Sequence, residues 1–184
     1  MHNSALFHPA LRVVHWLMAL AVLAMLFIGV AMVMDISAAR PVLLAIHQPL
    51  GVAIGALVIL RIVLRGYLGV PPMPASVAGW QRTLAHLSHL ALYLLMVAQP
   101  LTGWAMLSTA GYPVTLWHGF VLPPLLPVSV EHYAVLRPLH TLLAYSLFAC
   151  ILAHLAAALL HGLLLRDGVL SSMTGWRRGR SEKQ

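Results

Sequence analysis

Charge is scarce in this chain of 184 residues: 8% are Asp, Glu, Lys or Arg, and only four are acidic. A soluble domain of this length carries about a quarter charged residues. That class is therefore excluded, and a composition that is 61% hydrophobic belongs to a membrane protein. Cysteine is nearly absent. Cys150 stands alone, so no intrachain disulfide forms, and without a C-x-x-C-H motif no c-type haem is attached covalently. Cys150 reads as a small packing residue. The chain also shows no soluble domain and no repeat of fixed period.

What the chain has instead is long apolar runs. Four of them, about 13–34, 42–64, 84–107 and 134–164, reach the roughly twenty residues that a helix needs to cross a bilayer. They predict an all-α membrane protein, a single domain over 1–184 built as a four-transmembrane-helix bundle. The third run is interrupted by Gln99, Pro100 and Gly103, which predicts a kink or an early end. The first run is followed by "SAAR", which resembles a cleavage site. Its apolar core is longer than that of a signal peptide and starts right after Arg12, so a retained helix is expected. Residues 66–82, rich in proline and glycine, read as an ordered turn region. Residues 108–133 carry four prolines and are too broken to span. Their aromatics and leucines suit an outward surface loop that caps the bundle. Residues 166–184 read as a cytoplasmic tail that frays into disorder at its end.

The basic residues orient the bundle. With the amino terminus cytoplasmic, Arg12, Arg61, Arg65, Arg82, Arg166, Arg177, Arg178, Arg180 and Lys183 share that side, and only Arg40 and Arg137 lie opposite. Nine against two is a strong positive-inside pattern. It places both termini in the cytoplasm. The formal charge of +7 then follows from topology and contact with anionic lipid, with no nucleic acid required.

Eleven histidines in so apolar a chain are the main anomaly. His2, His8, His118 and His132 fall in loops and read as solvated, and His161, near the last helix end, reaches the interface. His15, His47, His140 and His154 lie inside apolar helices. An ionisable group there is costly and marks function, although a neutral imidazole bonded across helices is the bland reading of any single one. Taken together they pattern. Fourteen residues of helix separate His140 from His154, which leaves the two facing within about 40° of each other and about 21 Å apart along the axis. With alternating helix directions, His15 shares a level with His154 on the cytoplasmic side, and His47 shares a level with His140 on the outer side. Two pairs at two depths suit two stacked haems, each held by imidazoles on opposite faces of its iron. Zinc would want four clustered ligands, and no carboxylate or thiol joins either pair.

Arg12 and Arg137 each precede one of these histidines by three residues, where an arginine can pair a haem propionate. His86 and His89 open the third helix and suit a propionate, a quinone, a proton path or a plain interface role equally. Gly51 and Gly55 offer either a helix contact or room for a flat macrocycle. Met18, Met25 and Met32, seven residues apart, read as packing.

The stretches "RVVHWLMAL", "HQPLG", "LAHLSHLALYLLMVAQPLTGW" and "LHTLLAYSLFACILAHLAAALLHGLLLRDGVLSSM" resemble, in this order and over nearly the whole chain, the bacterial cytochrome b561 family. The resemblance implies a four-helix inner-membrane protein with two b haems whose axial ligands fall on His15, His47, His140 and His154. It also implies, through the superoxide oxidase branch, electron transfer from superoxide on the outer side to ubiquinone. A cytochrome b membrane-anchor subunit, fed with electrons by a docked hydrogenase or dehydrogenase, is the second reading. A haem-free metal or proton carrier is the third.

Overall fold

The computed structural model describes residues 6–34 and 40–175. His2, Asp35, the rest of 35–39 and the tail from 176 to 184 lie outside the described residues. Four long helices are present: α1 (Pro9–Met34), α2 (Arg40–Leu68), α3 (Gly79–Thr109) and α4 (Val130–Leu159). Each, with the turn that continues α4, is long and apolar enough to cross a membrane. Every one starts before its apolar run does, because backbone hydrogen bonding continues into the interfacial residues while hydropathy falls off.

The helix starts have identifiable caps. Pro9 opens α1 at a position where its missing N–H costs nothing, and the His8 ring accepts from the Ala10 N–H at 3.2 Å. At α3 the Gln81 side chain accepts from the Ala78 N–H at 3.0 Å. At α4 the Ser129 hydroxyl accepts from the His132 N–H at 3.2 Å, with Glu131 in the first turn complementing the helix dipole. His8 is exposed just before α1, as the sequence suggested, whereas His132 lies in the first turn of α4 rather than in the loop, and is exposed there.

Helix α3 corrects a sequence expectation, since it runs unbroken through Gln99, Pro100 and Gly103 to Thr109. Proline removes one N–H from the ladder, the donor to the carbonyl four residues back, and membrane helices tolerate that loss. The Thr102 hydroxyl donates back along the helix to the carbonyls of Ala98 at 2.8 Å and Gln99 at 3.0 Å.

Helix α1 packs on α2, α2 on α3, and α3 on α4. The core lies between α1 and α2, where Val14, Met18 and Val22 meet Ile54 and Val58. Met25 packs against this cluster, as the seven-residue methionine spacing implied. Gly51 faces Met25, and Gly55 faces Pro100 of α3. Both glycines therefore serve helix contact, and the macrocycle reading of them falls. Helix α4 packs mainly on α3 and reaches the α1/α2 core through Ile151. The many exposed leucines, valines and isoleucines, such as Leu20, Phe27, Ile59, Leu94 and Leu142, form the lipid-facing surface.

The two ends of the bundle are closed differently. Between α3 and α4 the chain makes a short antiparallel hairpin, β1 (Val114–Thr115) with β2 (Val121–Leu122), around a single 3-10 turn, Trp117–Gly119. Gln48 on α2 accepts from the Thr115 N–H at 2.9 Å. The Trp104 indole donates to the Pro123 carbonyl at 3.0 Å, and the Leu125 N–H to Ser108 Oγ at 3.1 Å. The surface loop thus caps the bundle, held by side chains of α2 and α3. At the opposite end α4 loosens into a π-helical turn, Leu160–Leu165. Arg166 and Gly168 adopt positive φ, and the chain reverses into α5 (Val169–Thr174). Nothing in the sequence signals this helix. It is tied to the start of the chain by the Phe7 N–H, which donates to the Ser172 carbonyl at 3.1 Å.

Candidate haem-binding site

Between α4 and the α1/α2 pair, histidines face each other at two depths. At the α5 end the rings of His15 and His154 have centroids 6.4 Å apart and an interplanar angle of 77°. At the hairpin end His47 and His140 are likewise 6.4 Å apart, at 70°. An imidazole nitrogen binds a metal at about 2.0–2.1 Å, and with roughly 1 Å more from nitrogen to ring centre on each side, two rings on opposite faces of one metal have centroids about 6 Å apart. Both pairs fit that span. Among the described residues no group of three or more His, Cys, Asp or Glu is placed to hold a metal ion by itself.

The hairpin-end pair shows a tautomer that suits ligation. Thr102 Oγ1 lies 3.1 Å from His140 Nδ1. Because the hydroxyl proton is already committed to the carbonyls of Ala98 and Gln99, the oxygen accepts from the Nδ1–H. The lone pair of His140 is therefore on Nε2. Gly103, one residue on, lies against the same ring: a Cβ there would come within 3.2 Å of His140 Cε1. Two buried polar atoms, His47 Nδ1 and Gln99 Oε1, have no hydrogen-bond partner. Such atoms are costly unless a group from outside the chain meets them. The residues present thus fit a flat, metal-bearing group between α4 and its neighbours.

The α5 end is more crowded. His89 of α3 places its ring 5.4 Å from that of His154, closer than His15 does. That spacing is short for a metal between the two rings, which separates His15 from His89 as the partner across the gap. His86, one turn earlier, is exposed. Arg61 of α2 is buried, with Nη1 donating to the Leu11 carbonyl at 2.8 Å and Nε to the Tyr93 hydroxyl at 3.1 Å. His161 does not simply reach the interface, since its Nδ1 pairs with Asp167 beyond the π turn.

The two arginines flanking the histidines have other contacts. Arg12 donates to the carbonyls of Met173 at 3.2 Å and Thr174 at 2.8 Å, clamping the end of α5. Arg137 is exposed and donates to the Tyr133 hydroxyl one turn earlier at 3.3 Å. Sequence reasoning missed Arg61, Thr102 and Gly103 as residues beside the histidines. Arg61 looked like one more positive-inside charge, and Gly103 like part of a helix break. The available signals were the position of Arg61 inside the apolar run of α2 and a hydroxyl two residues after a mid-helix proline.

Comparison with known proteins identifies the family. A family model described as prokaryotic cytochrome b561 matches residues 6–176. The chain is 32% identical over 142 residues to a probable superoxide oxidase CybB of Yersinia pestis, covering 76% of this chain and 79% of that protein. It is 29% identical over 136 residues to cytochrome b561 homolog 1 of Escherichia coli K12, covering 72% and 74%. It is also 29% identical over 168 residues to cytochrome b561 homolog 2 of the same organism, covering 88% and 87%. Family membership implies b-type haem, electron transfer across the membrane and contact with lipid. With four membrane-spanning helices and a family match over nearly its whole length, the chain belongs to the prokaryotic cytochrome b561 family and is a bacterial membrane electron-transfer protein.

Proposed function

We propose that the chain holds two b haems, one between His15 and His154 and one between His47 and His140, and passes electrons from superoxide on the outer side to ubiquinone. The observation that carries this reading is the pair of equal 6.4 Å histidine spans, both crossing from α4 to the α1/α2 pair. When bound, each haem supplies a ferric/ferrous couple whose axial positions are both taken by imidazole, which favours electron transfer over binding at iron. The similarity to a protein named a probable superoxide oxidase supports superoxide as donor. In balance, two superoxide anions leave as dioxygen, and their two electrons with two protons convert ubiquinone to ubiquinol.

The residues of the chain hold and orient. Thr102 keeps the His140 lone pair on Nε2, and Gly103 leaves space beside the ring. Gln48, next to His47, ties the hairpin over that end and limits access of water. Arg137, exposed one turn before His140, is available to a propionate, whereas Arg12 is engaged by α5. The α5 end faces the cytoplasm, in keeping with nine basic residues on one side against two.

Mixing the purified oxidised protein with superoxide in a stopped-flow spectrometer tests the reading. Rapid reduction in the haem bands, reversed by ubiquinone, is expected. Haem that stays oxidised would sink superoxide as donor and favour a docked redox protein. A colourless protein would sink the haem reading altogether.

A further inference from the structure

We infer that Arg61 is the fixed charge that makes the haem at the α5 end the stronger electron acceptor of the two, and so gives the electron path its direction. This rests on the two-haem reading above. Arg61 is 8% exposed and is the one buried basic residue among the described residues. Its guanidinium is held by neutral acceptors, the Leu11 carbonyl and the Tyr93 hydroxyl. No carboxylate balances it: among the described residues the only ion pair is His161 with Asp167, and Glu131 lies in the first turn of α4 at the other end. Leu11 is one helical turn before His15, and Tyr93 one turn after His89. Two neighbouring helices therefore fix the charge in place, within electrostatic reach of His15, His89 and His154.

The hairpin end has no counterpart. Among the described residues no buried arginine, lysine or carboxylate lies beside His47 or His140: Arg137 is exposed to solvent, and the two rings face each other, with the Thr102 hydroxyl against His140. Adding an electron to iron lowers its charge, so a nearby cation stabilises the reduced state. The effect is large where the surroundings are poorly polarisable and salt is kept out. Only one of the two sites has such a cation. A propionate drawn to Arg61 would leave the direction unchanged, because deleting the guanidinium would then expose a negative charge beside the same iron.

Equilibrium redox titration of the haem-loaded protein tests this, with the two waves assigned by which one survives His140→Ala. In Arg61→Gln the α5-end haem should become harder to reduce by at least tenfold in its equilibrium constant, about 59 mV for one electron. The other haem should move much less. Tyr93→Glu leaves the guanidinium in place and neutralises it with a paired carboxylate. It should lower the same wave, which keeps the test valid if Arg61→Gln loads haem poorly. Arg61→Lys and Tyr93→Phe keep the charge and should stay close to wild type. Loaded variants with unchanged potentials, equal shifts of both waves, or Arg61→Lys behaving like Arg61→Gln would overturn the inference. Wild-type protein without two haem waves would instead overturn the reading on which it rests.

Discussion

The two histidine pairs have the same span and opposite surroundings. At the hairpin end the neighbours of the rings are neutral and rigid: a threonine hydroxyl, a glycine and two unpartnered polar atoms. At the α5 end a third histidine and a buried arginine crowd the pair. Equal spacing fixes what both sites can bind. The difference in charge and hydrogen bonding is what can make two chemically identical cofactors behave differently, and a path with a direction needs that.

Removing a ligand breaks the comparison most completely. His140→Ala should abolish the haem at the hairpin end and spare much of the other, and His154→Ala should do the reverse, as read by haem content per protein. If either variant lost both haems or neither, the pairing would be wrong. His89→Ala sharpens the point, because its ring sits too close to His154 to share a metal with it. It should retain both haems, and loss of the α5-end haem would transfer the ligand role from His15 to His89. Next in size is Gly103→Val, whose Cβ would press on His140 Cε1. Occupancy of the hairpin-end site alone should fall several-fold, and unchanged haem content would show that the ring yields.

Thr102→Val removes the acceptor for His140 Nδ1–H without changing shape. Orienting partners of this kind are worth about 10–100-fold in metal affinity. A weaker histidine donor should favour the reduced state, so the hairpin-end wave should rise in a redox titration while Thr102→Ser restores it. The smallest effect belongs to Arg12→Ala, which removes two hydrogen bonds to α5, each worth about 1 kcal/mol. It should speed proteolysis beyond residue 165 and leave both haems in place. Loss of the α5-end haem in that variant would restore Arg12 as a propionate partner.

Much of the architecture was legible because hydropathy is a local property. Four apolar runs gave four spanning helices, and the fourteen-residue histidine spacing in α4 named two depths without any structure. The α3 break failed for a physical reason. Pro100 does remove an N–H, but one missing ladder bond does not end a helix that packs on both α2 and α4, and that packing cannot be read from composition. Gly51 and Gly55 misled because a small residue shows where backbones approach and not what approaches. Helix α5 was invisible, since six residues of mixed polarity gain stability only by docking under Phe7 and Arg12.

The sequence by itself determined the membrane class, the number of membrane-spanning helices and the four histidines inside them, because burial of apolar length and the cost of an ionisable group in lipid act residue by residue. Only the tertiary structure decided which neighbours those histidines keep. Arg61 and Arg12 look alike along the chain, both basic and both expected on the same side. Packing buries one beside three imidazoles and turns the other onto the carbonyls of a terminal helix, because where a long side chain finds its acceptors depends on which helix lies across from it.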